Sequence, residues 1–212
     1  MNRHKYGIAL DIDDTLSQTL LYWIQGLQEK LGGLEDMSPA EIMKKIKHTR
    51  DVPEWNTPEA MEYITELCNE DSLQEVIPVV EGAIDGVQRI NAIVPIVAYV
   101  TARPNTVING TTKWLKKYGF PEAPLITRPS SVSIPDGMKW KAEKLIASYP
   151  HIQGIVDNDI KLAEYLPSDY RGHFFLLSQA SVSKDSLISL YVCPDWKSVV
   201  QQVEKVFSNA TK

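Results

Sequence analysis

Hydrophobic and polar positions along the chain form two kinds of pattern. Five short runs rich in apolar and β-branched residues are typical of buried strands: residues 6–10, 93–100, 125–127, 152–156 and 173–177. Between most of them apolar residues recur at helical spacing: around residues 87–90 and over residues 107–118, 138–149 and 160–166. Strands that alternate with helices predict an α/β fold with a doubly wound parallel sheet. A last helix is predicted to begin near Pro194 and Asp195.

One long segment, from Ser17 to Val80, interrupts this alternation. It shows no convincing strand, and its apolar residues form helical stripes, with Ser38 as a predicted helix cap before Pro39. We interpret residues 17–79 as a helical cap inserted after the first strand, and residues 1–16 and 80–212 as a Rossmann-like core. Its large aromatic residues are expected to pack in or under the cap, with a platform for an aromatic substrate as the alternative: Trp23, Trp55 and Tyr63.

Composition narrows the class of protein. Of the 212 residues, 43% are hydrophobic and 23% are charged, as in an ordinary globular domain, and the net charge is -5. Tracking nucleic-acid phosphates needs a dense Lys/Arg face, so a nucleic-acid polymer is not the expected partner, whereas a small anionic substrate is compatible. We see no signal peptide and no membrane-spanning run, and we expect Cys68 and Cys193 to be free thiols. A soluble cytoplasmic protein is therefore expected.

The first predicted strand leads into the sequence Asp11-Ile12-Asp13-Asp14-Thr15. Residues i and i+2 of a strand point to the same side, so Asp11 and Asp13 can converge just past the strand end. A divalent cation there would offset their repulsion, and one carboxylate could attack while the other handles a proton. An Asx-rich turn without chemistry is the alternative interpretation.

The ends of the next two strands offer a hydroxyl and two cations. Thr101 ends the second strand and is followed by Ala102 and Arg103. The hydroxyl can bond a phosphoryl oxygen and the guanidinium can clamp an anion, although Thr101 could equally cap the next helix. Arg128 follows the third strand, where substrate contact and a plain surface position are both open.

The remaining candidates flank the fourth strand. A helix predicted to start at Asp136 carries Lys139 in its first turn, where an ammonium could neutralise a phosphoryl group. The strand itself ends in Asp157, followed by Asn158 and Asp159. In a doubly wound sheet this strand lies beside the first, so three acids can form an oxygen-rich site suited to Mg²⁺: Asp11, Asp13 and Asp157.

In this order the motifs resemble those of the haloacid dehalogenase superfamily of phosphohydrolases. That family has a strand ending D-x-D-x-[TV], a strand ending in Thr or Ser, a lysine near a helix start and a strand ending in one or two acids. The matching residues in this chain are Asp11, Asp13 and Thr15, then Thr101, then Lys139, then Asp157. The match covers roughly residues 5–17 and 80–192, and Lys141 fits some lysine spacings in the family.

The resemblance implies a Mg²⁺-dependent phosphatase acting on a small phosphomonoester. Asp11 would be the nucleophile that forms an aspartyl-phosphate, and Asp13 would protonate the leaving group, then activate water and ligate Mg²⁺ through its backbone carbonyl. Asp157 would be a further metal ligand. The implied phosphate- and substrate-binding residues are Thr101, Ala102, Arg103 and Lys139. An acid at position 13 favours phosphoryl transfer over dehalogenation, because alkyl halides need no leaving-group proton.

Several alternatives stay open at the level of sequence. Many members carry a second acid where this chain has Asn158, so Asn158 and Asp159 both remain candidates for the outer shell. The helical insertion resembles the first type of cap in that family. The sequences Thr101–Pro104 and Trp114–Phe120 are similar to those of C-type 5′-nucleotidases, which makes a nucleoside monophosphate a candidate substrate. A polynucleotide 3′-phosphatase and a non-catalytic phospho-acceptor module are the rival functions. The substrate and the oligomeric state are not specified by these patterns.

Overall fold

The computed structural model describes residues 6–46, 48–179 and 188–208. Its strands are β1 Gly7–Leu10, β2 Ile96–Pro104, β3 Leu125–Arg128, β4 Ile152–Asp157, β5 His173–Leu177 and β6 Ser189–Cys193. They form one sheet in the order β3-β2-β1-β4-β5-β6, and every neighbouring pair is parallel. The predicted α/β fold with a doubly wound parallel sheet is confirmed.

Eight α-helices accompany the sheet in the described part of the chain. They are α1 Thr19–Leu31, α2 Pro39–Met43, α3 Pro58–Asn69, α4 Ala83–Ile93, α5 Ile108–Lys117, α6 Gly137–Ser148, α7 Lys161–Tyr165 and α8 Trp196–Phe207. Short 3-10 helices cover Thr49–Asp51, Pro53–Trp55, Ser72–Val76 and Asn105–Val107. None of the described helices has the length and apolar character needed to cross a membrane.

Helices cover both faces of the sheet, because successive residues of a strand point to opposite sides. In β1, Ile8 and Leu10 belong to a cluster with residues of α4, α5 and α8, whereas Ala9 belongs to a cluster with residues of α6 and α7. Strands buried on both faces read as continuous apolar runs, and that is why the hydrophobic pattern located the central strands. The carboxyl end of β1 is thereby placed at the centre of the sheet edge.

The segment between β1 and α4 has a hydrophobic cluster of its own. Its buried members are Ile24, Leu27, Ile42, Val52, Trp55 and Ala60. Tyr63 packs against this cluster, as predicted, and Trp23 is half-buried. Ser38 forms the capping box of α2 with Glu41, and Pro39 is the first residue of that helix. The division into a core and a cap at residues 17 and 79 stays a prediction.

Two strands differ from the sequence-based expectation. Residues up to Ile93 belong to α4, and β2 begins at Ile96, because Pro95 cannot continue a helix. The strand also runs beyond Thr101 to Pro104, which pairs with Arg128 of β3. The sixth strand, β6, was not predicted: it lies at the edge of the sheet, and its partly exposed residues lack the continuous apolar run of the central strands.

Candidate active site

The candidate site begins in the loop that follows β1. The backbone N–H of Asp11 donates to the Val156 carbonyl of β4 at 2.9 Å, so Asp11 still belongs to the sheet edge. The chain then turns sharply: the Ser17 N–H donates to the Ile12 carbonyl at 2.9 Å, and Asp14 adopts a left-handed φ of 53°. The turn gathers the polar residues of the loop beside the carboxyl ends of the strands.

A buried lysine joins the acids at the ends of β1 and β4. Leu10 pairs with Val156, so Asp11 and Asp157 are the next residues of two adjacent strands. The Lys141 ammonium, on α6, lies 2.7 Å from Asp11 Oδ1 and 2.8 Å from Asp157 Oδ2. Lys141 and Asp157 are fully buried and Asp11 is 4% exposed. A single ammonium therefore bridges two buried carboxylates.

Burial and charge act in opposite directions in this cluster. Burial raises the pKa of the Asp11 carboxyl, the nearby Asp157 and Asp13 raise it further, and the Lys141 ammonium only partly opposes them. For Lys141 itself, burial disfavours the charged form, but the two carboxylates outweigh burial and hold its pKa above the ordinary value. Lys141 is thus protonated, and its single positive charge is the counter-charge for two carboxyl groups.

Lys139, the lysine predicted at the strand ends, is exposed to solvent. Lys141, the alternative, is the residue that contacts the acids. Two positions along a helix differ by a rotation of about 200°, so the two side chains face opposite sides of α6. The structure places Lys141, and not Lys139, against the acids, and a role for either lysine at a phosphoryl group stays a prediction.

Asp13 is held by an arginine from β2. Arg103 Nε donates to Asp13 Oδ1 at 2.9 Å, and Arg103 Nη2 lies 2.8 Å from the same oxygen. The Thr19 hydroxyl donates to that oxygen as well, at 2.6 Å. Burial alone would raise the pKa of Asp13, but Arg103 and Thr19 outweigh burial and hold the pKa below its usual value. Asp13 is therefore a carboxylate in the free protein.

Arg103 was expected to bind the substrate anion, and the structure assigns its guanidinium to other partners. Its remaining N–H groups donate to the hydroxyls of Thr111 at 3.1 Å and Ser17 at 3.0 Å. The Thr101 hydroxyl is fully buried and accepts the Arg103 backbone N–H at 3.2 Å. Thr101 does not cap a helix, since α5 begins only at Ile108.

Arg128 also has a local partner on the core. Its Nε donates to the carbonyl of Ala102 at 3.0 Å, and its Nη1 donates to the carbonyl of Val132. The residue is 7% exposed, so it is not the plain surface arginine considered as one alternative. The hydrogen bond to Ala102 stabilises the end of β2, where Thr101, Ala102 and Arg103 were predicted to bind phosphate.

Asn158 and Asp159, which the sequence left open, have distinct contacts. Asn158 Oδ1 accepts the Thr15 hydroxyl at 3.2 Å, which ties the loop after β4 to the loop after β1. The Asp159 N–H donates to Asp157 Oδ1 at 2.8 Å, and its carboxylate accepts the Lys161 N–H at 3.0 Å. Asp159 therefore shapes the turn into α7, and Asn158 supports the site loop.

The acidic cluster can be tested for its fit to Mg²⁺. Within the described ranges, no group of three or more His, Cys, Asp or Glu side chains is arranged to hold a metal ion. Mg²⁺ needs only one or two carboxylates because it retains several waters. Asp11 and Asp157, when ionised, leave one negative charge beyond what Lys141 balances, and their oxygens are the hard donors that Mg²⁺ prefers. The donor set fits, although Arg103 engages the Asp13 side chain and leaves its backbone carbonyl as the possible ligand.

The helical segment approaches the site at the end of α3. Burial raises the pKa of the Cys68 thiol to about 12, and the negative charge of Asp13 adds to this effect. At the end of this helix, Asn69 Oδ1 accepts the Thr106 hydroxyl at 3.4 Å, so α3 meets the residues that follow β2. Cys68 and Cys193 are both free, as expected.

Comparison with known proteins identifies the class of fold. No protein-family model matches the sequence, and no curated protein is similar to it in sequence. Solved structures do match over nearly the whole chain. A haloacid dehalogenase-like family hydrolase from Xanthomonas campestris has 13% identity and a TM-score of 0.51, covering 97% of this chain and 99% of its own. The chain thus has the fold of the haloacid dehalogenase superfamily of hydrolases.

Two further structures support this assignment of the fold. A dehalogenase has 9% identity and a TM-score of 0.57, covering 97% of this chain and 98% of its own. A haloacid dehalogenase family hydrolase from Deinococcus radiodurans, with bound phosphate and sodium, has 13% identity and a TM-score of 0.51, covering 98% and 97%. The resemblance drawn from the motifs is confirmed at the level of the fold, and the roles assigned to individual residues stay predictions.

The residues that sequence reasoning missed are the hydroxyls around Arg103: Ser17, Thr19 and Thr111. Ser17 and Thr19 lie within six positions of Asp13, and their polarity at the start of an apolar helix was a usable signal. Thr111 is one of two adjacent threonines in α5, and nothing in the local pattern distinguishes it from Thr112. The partner of Thr111 is Arg103 of β2, and the contact forms only when α5 packs against that strand.

Proposed function

We propose that the protein is a Mg²⁺-dependent phosphatase that hydrolyses a small phosphomonoester through an aspartyl-phosphate. The observation that carries this proposal is the buried cluster in which Lys141 bridges Asp11 and Asp157 at the ends of adjacent strands. Buried like charges are costly, so a protein retains them where a charged ligand gains from them. The charges are complementary: the ammonium can attract an anionic phosphoryl group, and the two carboxylates can bind a divalent cation.

Asp11 is the proposed nucleophile. Asp13, a carboxylate in the free protein, takes up a proton when the anionic substrate binds beside it. The Asp11 carboxylate oxygen then attacks phosphorus, the bond from phosphorus to the leaving oxygen breaks, and that oxygen takes the proton from Asp13. Water then attacks the phosphorus of the aspartyl-phosphate while Asp13 accepts a proton from it. This second step releases inorganic phosphate and regenerates the Asp11 carboxylate. Both steps require Asp13 to lie beside the leaving oxygen, on the same edge of the sheet as Asp11.

Electrostatic neutralisation is shared between the chain and the cation. The Lys141 ammonium holds the Asp11 and Asp157 carboxylates in place and balances part of their charge. Bound at Asp11, Asp157 and the Asp13 carbonyl, Mg²⁺ would supply neutralisation of the phosphoryl oxygens. Together the ammonium and the cation would favour the ionised form of the Asp11 carboxyl, whose pKa burial raises in the free protein.

Phosphate transfer is favoured over dehalogenation, although a dehalogenase is among the similar structures. Asp13 supplies an acid two residues after the nucleophile, and displacement of a halide needs no proton donor. One similar structure contains bound phosphate, which supports an anion site in this fold. The helical segment, whose α3 contacts Thr106 just after β2, favours a small substrate enclosed by a cap. A nucleoside monophosphate is the substrate we test first.

The test is phosphate release from a panel of nucleoside 5′- and 3′-monophosphates, sugar phosphates and p-nitrophenyl phosphate, with Mg²⁺ and with EDTA. We expect release that depends on Mg²⁺ and is abolished in Asp11→Asn. Asp169→Asn, which changes an exposed aspartate, is the matched control and should retain full activity. Release that persists in Asp11→Asn would overturn the nucleophile. A folded wild-type protein that releases no phosphate from any compound would favour the phospho-acceptor alternative.

A further inference from the structure

Each of the three guanidinium nitrogens of Arg103 has a partner within the protein. Its Nε and Nη2 both contact Asp13 Oδ1, and its Nη1 and Nη2 donate to the hydroxyls of Thr111 and Ser17. The side chain is 4% exposed. An arginine that clamps a substrate anion must keep a free edge of its planar fork toward the ligand, and these contacts occupy the fork from both sides.

The contacts on Asp13 are unequal between its two carboxylate oxygens. Oδ1 accepts from Arg103 Nε and from the Thr19 hydroxyl, and it is also the oxygen nearest Arg103 Nη2. In the described part of the chain no hydrogen bond engages Oδ2, and the Asp13 side chain is 32% exposed. One oxygen is therefore fixed by donors, while the other stays available at the crevice.

The anchors of Arg103 come from two different parts of the fold. Thr111 belongs to α5 of the core, while Ser17 and Thr19 lie where the chain leaves the site loop and enters α1. The Ser17 hydroxyl also donates to the Ile12 carbonyl at 3.1 Å and lies 2.8 Å from the Thr19 hydroxyl. Arg103 thus ties the orientation of Asp13 to the rigid strand β2 and to the entry of the helical segment.

We propose that Arg103 is a positioning residue that holds Asp13 Oδ1, so that Oδ2 exchanges the proton with the leaving oxygen and with water. This inference rests on the proposed phosphatase function. It places Arg103 outside direct contact with the phosphoryl group. Loss of Arg103 should therefore slow the step that needs a proton and leave substrate binding intact.

The kinetic test compares Arg103→Gln with wild type on p-nitrophenyl phosphate and phenyl phosphate, two substrates of similar size whose leaving groups differ in acidity. Phenolate leaves poorly without a proton, whereas p-nitrophenolate leaves readily. Because kcat/KM reports only the steps up to departure of the leaving group, we expect kcat/KM for phenyl phosphate to fall about 100-fold, with a much smaller fall for p-nitrophenyl phosphate and unchanged inhibition by inorganic phosphate. Weaker inhibition by inorganic phosphate with equal losses of kcat/KM on both substrates would show an anion clamp and overturn the proposal.

Controls separate positioning from general damage to the fold. Arg103→Lys keeps a charge but lacks the fork, so we expect it to restore only part of the phenyl phosphate activity. Arg89→Gln alters an exposed arginine of α4 and should change neither substrate. Equal losses of kcat/KM on both substrates, with lowered thermal stability and unchanged inhibition by inorganic phosphate, would show that Arg103 has only a structural role and would overturn the proposal.

A structural readout makes the proposal independent of turnover. In a crystal structure of the wild-type protein grown with inorganic phosphate and Mg²⁺, Arg103 is expected to keep its contacts with Asp13, whether or not phosphate is bound. A guanidinium turned away from Asp13, toward phosphate or solvent, would overturn the proposal even if the protein is an active phosphatase. Intact pairing in a protein without phosphatase activity would instead refute the proposed function, and with it the proton exchange at Oδ2, while the hold of Arg103 on Asp13 Oδ1 would stand.

Discussion

The indole of Trp196, the first residue of α8, donates from Nε1 to the backbone carbonyl of Thr15 at 3.1 Å. Thr15 lies in the site loop, 181 positions earlier in the chain. The indole also packs so closely on α4 that a Cβ at Gly86 would come within 2.7 Å of it. The C-terminal helix thereby supports the loop of the candidate nucleophile from behind.

Removal of this hydrogen bond should loosen the site loop. Trp196→Phe keeps an aromatic ring but leaves the Thr15 carbonyl without its indole donor, so we expect a loss of about 1–3 kcal/mol in the free energy of unfolding. Urea denaturation measures it. Trp23→Phe, at a half-buried position, is the control and should cost less. Equal losses in the two variants would show that ring volume, and not the contact with Thr15, sets the cost.

The two lysines of α6 should differ sharply on substitution. Lys141→Met leaves the buried Asp11 and Asp157 carboxylates without a counter-charge, so we expect it to cost about 3–5 kcal/mol of stability. Phosphate release should fall by at least about 100-fold. Lys139→Met, on the exposed face, should change stability by less than about 0.5 kcal/mol.

Thermal denaturation and phosphate release on both lysine variants measure these effects. If Lys139→Met lost as much activity as Lys141→Met, the exposed lysine would have a role that its position in the fold does not explain. If Lys141→Met were as stable as the wild type, the buried carboxylates would have to be neutral in the folded protein.

Gly110 is expected to tolerate no side chain. A Cβ there would lie 1.8 Å from the backbone oxygen of Asp71, whose carboxylate accepts the Gly110 N–H at 2.8 Å. Alanine must separate α5 from the segment that leads back from the helical insertion, so Gly110→Ala should cost at least about 1–3 kcal/mol.

The matched control is Gly137→Ala, because a Cβ at Gly137 meets neighbours no closer than 3.4 Å. Alanine has the higher helix propensity, so this variant should be neutral or more stable by up to about 1 kcal/mol. Urea denaturation of both variants provides the comparison. A stable Gly110→Ala protein would mean that α5 and the Asp71 segment can separate at little cost.

His173 should make stability depend on pH. Burial lowers its pKa below the ordinary 6.5, and the Tyr191 hydroxyl lies 3.4 Å from its Nδ1. The unfolded chain therefore binds a proton more readily than the folded protein does, and this contribution to stability is lost as the pH falls through about 6.5. We expect His173→Phe to show a smaller loss of urea stability between about pH 7.5 and 5.5 than the wild type.

The wild-type protein, measured in parallel over the same pH range, provides the comparison for this effect. The contribution of His173 is the difference between the two slopes of stability against pH. An unchanged slope in His173→Phe would assign the acid sensitivity of the protein to its carboxylates.

The predictability of the site differed from residue to residue for physical reasons. Asp11 and Asp157 were predicted to lie together because each directly follows an apolar run and parallel strands bring their carboxyl ends to one edge, and Asp13 follows Asp11 by two positions. Arg103 was found as a cation near the site, but its role as the partner of Asp13 depends on contacts with residues 8 to 90 positions away. The strand β6 was not predicted because it lies at the edge of the sheet, pairs with another strand on one side only and lacks a continuous apolar run.

By itself, the sequence determined the alternation of strands and helices, the helical insertion and the acids at the strand ends. These features are local, since they follow from periodicities of about 2 and 3.6 residues and from spacing along one strand. Only the tertiary structure decided which lysine reaches the acids and where the Arg103 guanidinium points. The rotation of α6 about its own axis places Lys141, and not Lys139, beside the acids. The packing of β2 against α5 and the site loop provides acceptors for the guanidinium N–H groups of Arg103. Such choices depend on how separate elements pack, and no short stretch of sequence encodes them.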